Sequence, residues 1–290
     1  MKCTLCPRSC GAERDGKTGA GFCRMPAGLR VARAALHHWE EPPISGKNGA
    51  GTVFFSGCTL RCSYCQNGDI SAGGRGRDIT PERLREIYFE LLGQGAHNIE
   101  LVTPTHFLPW ILPSLEPKLP VPVVYNCGGY EKAETLRLLE GKVDVWLPDL
   151  KYSDGALARE LSGAEDYFPV ACDAIREMFR QTGRPVYDGN GLMRRGVIVR
   201  HLVLPGYLDN TRRVLDWLAE TFAPGDVAVS LMSQYTPPPH MTGRLARRVT
   251  AAEYRAAVAY MRNCGIEDGF VQERTSAEEA YTPAFDGTGV

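Results

Sequence analysis

No apolar run in this sequence approaches the roughly 20 residues that a membrane-spanning helix needs. The N-terminal stretch MKCTLCPRSCGAERDG also lacks the apolar core of a signal peptide. These two absences predict a soluble, cytoplasmic protein with no membrane partner. Net charge is nearly absent as well. Lys and Arg number 33 and Asp and Glu 34, for a formal charge of −1, so no electrostatic footprint for nucleic acid is present. Internal repeats and low-complexity tracts are missing, which excludes solenoids and propellers. A phosphate loop is missing too. Gly46-Lys47-Asn48-Gly49-Ala50-Gly51-Thr52 lacks the Gly-x4-Gly-Lys-Ser/Thr spacing and precedes a strand, so it reads as a flexible entry loop.

Cysteine is abundant, ten in 290 residues. In a reducing compartment clustered cysteines more often hold metal than form disulfides. Cys3, Cys6, Cys10 and Cys23 make one cluster, and Cys58, Cys62 and Cys65 a second. Cys127, Cys172 and Cys264 are scattered and read as small buried hydrophobes.

Residues 1–30 are poor in aliphatics and cannot build a core alone, so a metal staple is expected there. Glu41-Pro42-Pro43-Ile44-Ser45-Gly46 reads as a linker. From Gly51 the texture alternates. Strands are expected at Thr52–Phe55, Ile99–Val102, Val121–Tyr125, Val143–Leu147, Val197–Leu204 and Val227–Leu231. Helices are expected at Thr80–Leu92 (Thr80 as N-cap, Pro81 in the first position), Glu131–Leu139, 165–181, Asn210–Thr221 and Ala251–Asn263. Such alternation implies a parallel α/β sheet with right-handed crossovers. Six units are fewer than the eight of a closed barrel. A partial (β/α)6 TIM-like barrel fits the count, and a doubly wound sheet fits it nearly as well.

The triplet directly follows the first of these strands, where an α/β barrel carries its chemistry. Three thiolates on one loop can ligate three irons of a cubane cluster and leave the fourth open. Gly57 permits a sharp turn beside it, and Tyr64 would cover one cluster face and exclude water. The competing reading is a zinc site with His37 or His106 as fourth ligand. Cys58-x3-Cys62-x-Tyr64-Cys65 resembles the signature of the radical S-adenosylmethionine (SAM) superfamily over roughly residues 50–272. Within it the chain is similar to proteins related to pyruvate formate-lyase activating enzyme, nearest the PflX-type branch. The resemblance implies a [4Fe–4S] cluster on Cys58, Cys62 and Cys65, with the amino and carboxylate groups of SAM on the fourth iron. It also implies reductive cleavage to methionine and a 5′-deoxyadenosyl radical that abstracts hydrogen. An electron donor such as flavodoxin or ferredoxin is implied as partner. The chain then divides into a Cys-rich metal-binding extension and linker at 1–45 and a radical SAM core with a C-terminal tail at 46–290.

Functional residues should recur at the later strand ends. After the second strand, Thr103-Pro104-Thr105-His106 stands where the superfamily carries a Gly-Gly-Glu-like stretch. Thr103 and Thr105 can offer oxygens there and His106 can contact substrate. Asn126-Cys127-Gly128-Gly129-Tyr130 resembles the Asn-x-x-Gly-Tyr/Phe stretch of activating enzymes, with glycines that allow close backbone approach. Asp149-Leu150-Lys151 resembles their Asp-Leu-Lys stretch, and by alternation Asp149 and Lys151 share a side. The resemblance implies contacts to the methionine part of the cofactor or an ordered substrate pocket. The alternative is a surface ion pair. Arg200 lies in an Arg-x-x-Val-x-Pro-Gly-like stretch and suits a carboxylate, while His201 should point away as a structural residue. Met232, alternating with Ser230 and Gln234, can contact adenine or belong to the core. Cys3, Cys6, Cys10 and Cys23 suit a closed structural zinc site, with a second iron–sulfur cluster as rival. Three functions compete: activation of a glycyl radical enzyme, radical modification of a small molecule or peptide, and a non-enzymatic zinc or Fe–S binding module.

Overall fold

The computed structural model describes residues 2–16, 19–267, 269–271 and 283–290. Its strands are β1 (Leu29–His37), β2 (Ala50–Phe55), β3 (Arg77–Ile79), β4 (Ile99–Val102), β5 (Val123–Cys127), β6 (Val145–Pro148), β7 (Val186–Tyr187), β8 (Met193–Leu202), β9 (Ala228–Met232) and β10 (Gly269–Val271). The helices are α1 (Pro42–Ser45), α2 (Gly68–Ser71), α3 (Pro81–Gly93), α4 (Leu108–Ser114), α5 (Ala133–Leu136), α6 (Gly155–Ser162), α7 (Tyr167–Thr182), α8 (Leu208–Thr221) and α9 (Ala251–Asn263).

β2, β4, β5, β6, β8, β9 and β10 pair in parallel, in that spatial order. An order that follows the chain has no reversal point, and a doubly wound sheet requires one. The architecture is therefore an open, partial TIM-like barrel. β1 adds antiparallel to β2, and β3 to β1, beyond the parallel run. β2, β4, β5 and β6 are buried on both faces, as parallel strands between helices and a filled interior must be.

Register sorts the two faces. Val53, Leu101, Tyr125 and Trp146 lie side by side within the large core that also holds the helices' apolar faces. On the other face, Val124, Val145, Leu147, Ile198 and Ala228 close an apolar floor inside the barrel, with Ile44 of α1 seated among them. Among the described residues no helix is long and apolar enough to cross a membrane.

The expected helices all occur. The Thr80 side chain accepts from Arg83 N (3.2 Å), with Pro81 in the first turn. α9 spans the residues expected of it. Two departures affect the site. Leu29–His37, read as extension, is a nine-residue strand of the sheet. Glu41–Gly46, read as linker, contains α1, buried and pinned by Asn98 Nδ2 to Ile44 O (2.8 Å). Residues 283–290 lie along β1, with Ala34 N donating to Thr288 O (2.9 Å) and the Phe285 ring edge-on to Phe54 at 5.5 Å.

Candidate functional site

The cysteine triplet sits on the loop that leaves β2. Gly57 turns the chain at φ +78°, and a Cβ there would meet Met25 Cγ at 2.4 Å, so only glycine fits. Arg61 is also held at positive φ (+50°), with its guanidinium donating to Phe22 O (3.2 Å). Cys65 N donates to Cys62 O (3.0 Å), and Leu60 N reaches the Cys58 sulfur at 3.3 Å. A chain of hydroxyls braces the loop from α6: Tyr152 OH donates to Tyr64 OH (2.9 Å) and lies 2.7 Å from Ser162 Oγ, which donates to Cys62 Sγ (3.0 Å). Burial pushes the Cys58 thiol up to about 12, with Cys62 and Cys65 adding to the rise. Burial followed by Cys62 raises Cys65. Cys58 and Cys65 therefore favour the protonated thiol unless a cation joins them. The sulfurs are not drawn into a chelate here. Among the described residues no group of three or more His, Cys, Asp or Glu stands in metal-holding geometry.

Cys58, Cys62, Cys65 and Tyr64 open onto a cavity of about 690 Å³. Asn126, Asp149, Lys151, Arg200 and Met232, each expected at a strand end, line the same cavity. The Asp149–Lys151 pair is a half-buried ion pair on the cavity wall, not one on the outer surface. Burial acts to raise Asp149, but Arg200 and Lys151 beside it overcome that and hold its pKa below the ordinary value. Arg200 is the hub. Its Nε donates to Asp149 Oδ1 (2.9 Å), Nη1 to Glu40 Oε2 (2.9 Å) and Nη2 to Asn126 Oδ1 (2.6 Å). Asn126 Nδ2 donates in turn to Glu100 Oε1 (2.7 Å), whose other oxygen accepts from Thr52 Oγ1 (2.7 Å). Burial, then Glu100, lifts Glu40 to about 8, and burial lifts Glu41 to about 7.

The glycine pair also has a steric cause. Gly129 has φ +79°, and a Cβ there would stand 2.1 Å from Asp149 O. The close approach is thus to the neighbouring strand end. Tyr167 OH clasps both ends, donating to Gly128 O and Asp149 O at 2.8 Å.

Other expected residues lie elsewhere. Thr103 lines the cavity, but Thr105 is buried between Glu131 and Tyr125. His106 turns away, with Nε2 2.7 Å from Ser56 O. His201 is buried between Leu150 O (2.6 Å) and Thr211 Oγ1 (3.0 Å), a structural position as alternation implied. Sequence reasoning missed Trp39, Glu40, Glu41 and Glu100. The only signal was Glu100 itself, an acid inside the apolar run Ile99–Val102.

The N-terminal cysteines gather beside this site. Cys3 and Cys6 are buried and Cys10 is exposed. Burial lifts Cys6 to about 12, with Cys3 and Cys23 near enough to contribute, and Cys23 is raised by burial with Cys3 and Cys10 contributing. The segment is riveted over the triplet loop by Arg8, which donates to Thr59 O (2.8 Å) and Ser162 O (2.6 Å) with its guanidinium 3.9 Å from the Phe22 ring centre.

No protein-family model matches this chain. It is 29% identical over 246 residues to the protein MJ0674 of Methanocaldococcus jannaschii, covering 81% of this chain and 66% of that protein. Among solved structures it resembles SuiB of Streptococcus suis bound to S-adenosylmethionine (TM-score 0.51, 13% identity, 75% of this chain and 48% of SuiB). It also resembles methylornithine synthase (TM-score 0.52, 16% identity, 83% and 72%). The chain spans less than two thirds of MJ0674 and about half of SuiB. At these identities the likeness establishes the fold: an open α/β barrel of the kind found in a protein solved with S-adenosylmethionine bound and in methylornithine synthase.

Proposed function

We propose that this chain is a radical SAM enzyme whose Cys58, Cys62 and Cys65 hold a [4Fe–4S] cluster at the cavity mouth. The observation that carries the reading is convergence: the triplet and four strand-end residues singled out by the same resemblance, Asn126, Asp149, Lys151 and Arg200, line one cavity, together with Met232, which alternation placed there. The donor set suits the group, since three thiols on one loop can ligate three irons of a cubane and leave one for a small ligand. When bound, the cluster and SAM supply reductive carbon–sulfur cleavage and a 5′-deoxyadenosyl radical for hydrogen abstraction.

The chain's own residues do the rest. The Tyr64–Tyr152–Ser162 hydroxyl chain orients Cys62. Asn126, Asp149 and Lys151 present polar groups for the methionine part, and Met232 an apolar wall for adenine. Arg200 acts by fixing Asp149 and Asn126, because its three hydrogen-bonding nitrogens are already engaged with protein acceptors. A substrate that fills the cavity displaces water from the reacting atoms. Cys3, Cys6, Cys10 and Cys23 form a second metal site, zinc or iron–sulfur. The electron donor is a flavodoxin or ferredoxin.

The radical's destination has two readings. Resemblance to pyruvate formate-lyase activating enzyme favours a glycyl radical enzyme. The acidic inner end of the cavity at Glu40 and Glu41 favours a small molecule or a peptide side chain that enters deeply.

Anaerobic reconstitution with iron and sulfide tests the cluster assignment. The reduced protein should give a paramagnetic resonance signal that shifts when SAM is added. The Cys62→Ala, Cys65→Ala double variant should lose that signal and retain only the N-terminal metal. A signal that persists in the double variant with its SAM response intact refutes the ligand assignment.

A further inference from the structure

The inner end of the cavity is overfull of acid. Glu40, Glu41, Glu100 and Asp149 face two cations, Arg200 and Lys151, and both cations are already spent on Asp149 and its neighbours. Glu41 is only 7% exposed and Ser230 1%, and both line the cavity. The Ser230 hydroxyl is near enough to favour the Glu41 anion. Yet the two oxygens do not meet in hydrogen-bond geometry, and among the described residues neither Glu41 Oε2 nor Ser230 Oγ has another partner. A buried carboxylate oxygen left without a donor is destabilising, so two unpartnered oxygens side by side at a cavity wall suit a ligand that donates to both.

The geometry points to a subsite for a primary ammonium group of the substrate, formed by Glu41 and Ser230 at the inner end of the cavity. It rests on the radical SAM reading only for the identity of the reaction. The chemistry selects the ligand class. An ammonium is a compact charge with three donors and no acceptor, and it can serve one carboxylate oxygen and one hydroxyl oxygen together. A guanidinium presents a planar fork suited to a bidentate carboxylate, and here only one carboxylate oxygen is orphaned. An acid or phosphate meets acids here and no unpaired cation, since Arg200 and Lys151 are already engaged. The amino group of SAM is not the occupant, since the cofactor reading assigns it to the open iron at the cysteine loop. Ser230 lies two residues deeper on β9 than Met232, about 7 Å at the rise of a strand. A substrate held there by its ammonium would extend outward toward the cysteines, presenting an aliphatic C–H at the position where the radical forms.

The segment that carries Glu41 is built for the task. Pro42 and Pro43 stiffen it, Ile44 anchors it in the apolar floor, and Glu40 N is tied to Ser45 Oγ (2.9 Å). The acid is therefore positioned before any ligand arrives.

Calorimetric titration of the full chain with n-pentylamine, n-pentanol and pentanoate near neutral pH tests the subsite. The amine should bind at least about tenfold more tightly than the alcohol, and pentanoate should not bind. Glu41→Gln, nearly isosteric, should bring the amine to the alcohol's affinity, and Ser230→Ala should weaken it severalfold. Equal affinity for amine and alcohol in the wild type overturns the proposal without reference to any variant. So does a Glu41→Gln protein that keeps the preference, or one that loses affinity for SAM instead. A separate assay of SAM cleavage by the wild type keeps the two readings apart. Cleavage without amine selectivity sinks the subsite alone, and Glu41-dependent amine binding without cleavage sinks the radical reading alone.

Discussion

Gly129 and Gly128 differ in what they forbid. At Gly129 an added Cβ meets a backbone carbonyl, Asp149 O, at 2.1 Å and the φ is +79°, so nothing can yield without moving the end of β6. At Gly128 the first obstacle is the Leu60 Cδ1 methyl at 2.7 Å, which can rotate away. Gly129→Ala should therefore cost more than about 1 kcal/mol in urea unfolding, and Gly128→Ala clearly less. A second residue-level test uses pH. Glu131 is buried with Oε1 accepting from Thr105 (2.8 Å), and burial lifts its pKa from 4.5 to about 8. The fold keeps this proton where the unfolded chain has released it. The group's contribution to stability is thus full below pH 4.5 and is lost as pH rises through about 8. Glu131→Gln, which mimics the protonated acid, should flatten the fall of the urea midpoint between pH 4.5 and about 8; an unchanged slope would show the assignment wrong. The strand-end residues of the site were readable because alternation and position place them. Glu40 and Glu41 were not. Their role depends on a loop entering the barrel, which no local pattern records.

α9 is the clearest case of an element written in its own sequence. Thr250 Oγ1 accepts from Glu253 N (3.2 Å), and Glu253 reaches back to Thr250 N (2.9 Å). The same carboxylate also accepts from Gly206 N (2.8 Å), tying the helix to the turn after β8. Thr250→Ala should cost about 1 kcal/mol of stability, read by thermal unfolding. Glu253→Ala should cost more, because it frees the Gly206 turn as well. β1 is the opposite case. Its sequence, LRVARAALH, is rich in Ala and Arg, which favour helix. Pairing with β2 on one side and β3 on the other makes it a strand, a tertiary effect invisible to propensity. β7 and β10 span two and three residues, too short for a period to register. The six main barrel strands and the four longest helices, α3, α7, α8 and α9, announce themselves by apolar runs or by amphipathic spacing, whereas the eight-residue α6 does not. The barrel was separable from a doubly wound sheet only once the strand order was known.

At the scale of the whole molecule, the two cysteine groups form one structural region. Arg8 binds the backbone of the triplet loop and of α6, Lys132 Nζ donates to Thr4 O (3.0 Å), and Thr135 Oγ1 to Leu5 O (2.8 Å). Met25 fills the space that Gly57 leaves open. Arg8→Ala should raise amide hydrogen exchange both in the N-terminal segment and in the Cys58–Cys65 loop; a rise confined to the N-terminal segment would show the two to be independent. What the assembly is built for turns on the triplet. The deciding measurement is 5′-deoxyadenosine formed from SAM by the reconstituted, chemically reduced protein under anaerobic conditions. The wild type should release 5′-deoxyadenosine with methionine, and Cys58→Ala should release none. An intact, reduced cluster that yields no 5′-deoxyadenosine, or a Cys58→Ala protein that yields as much as the wild type, would contradict the account.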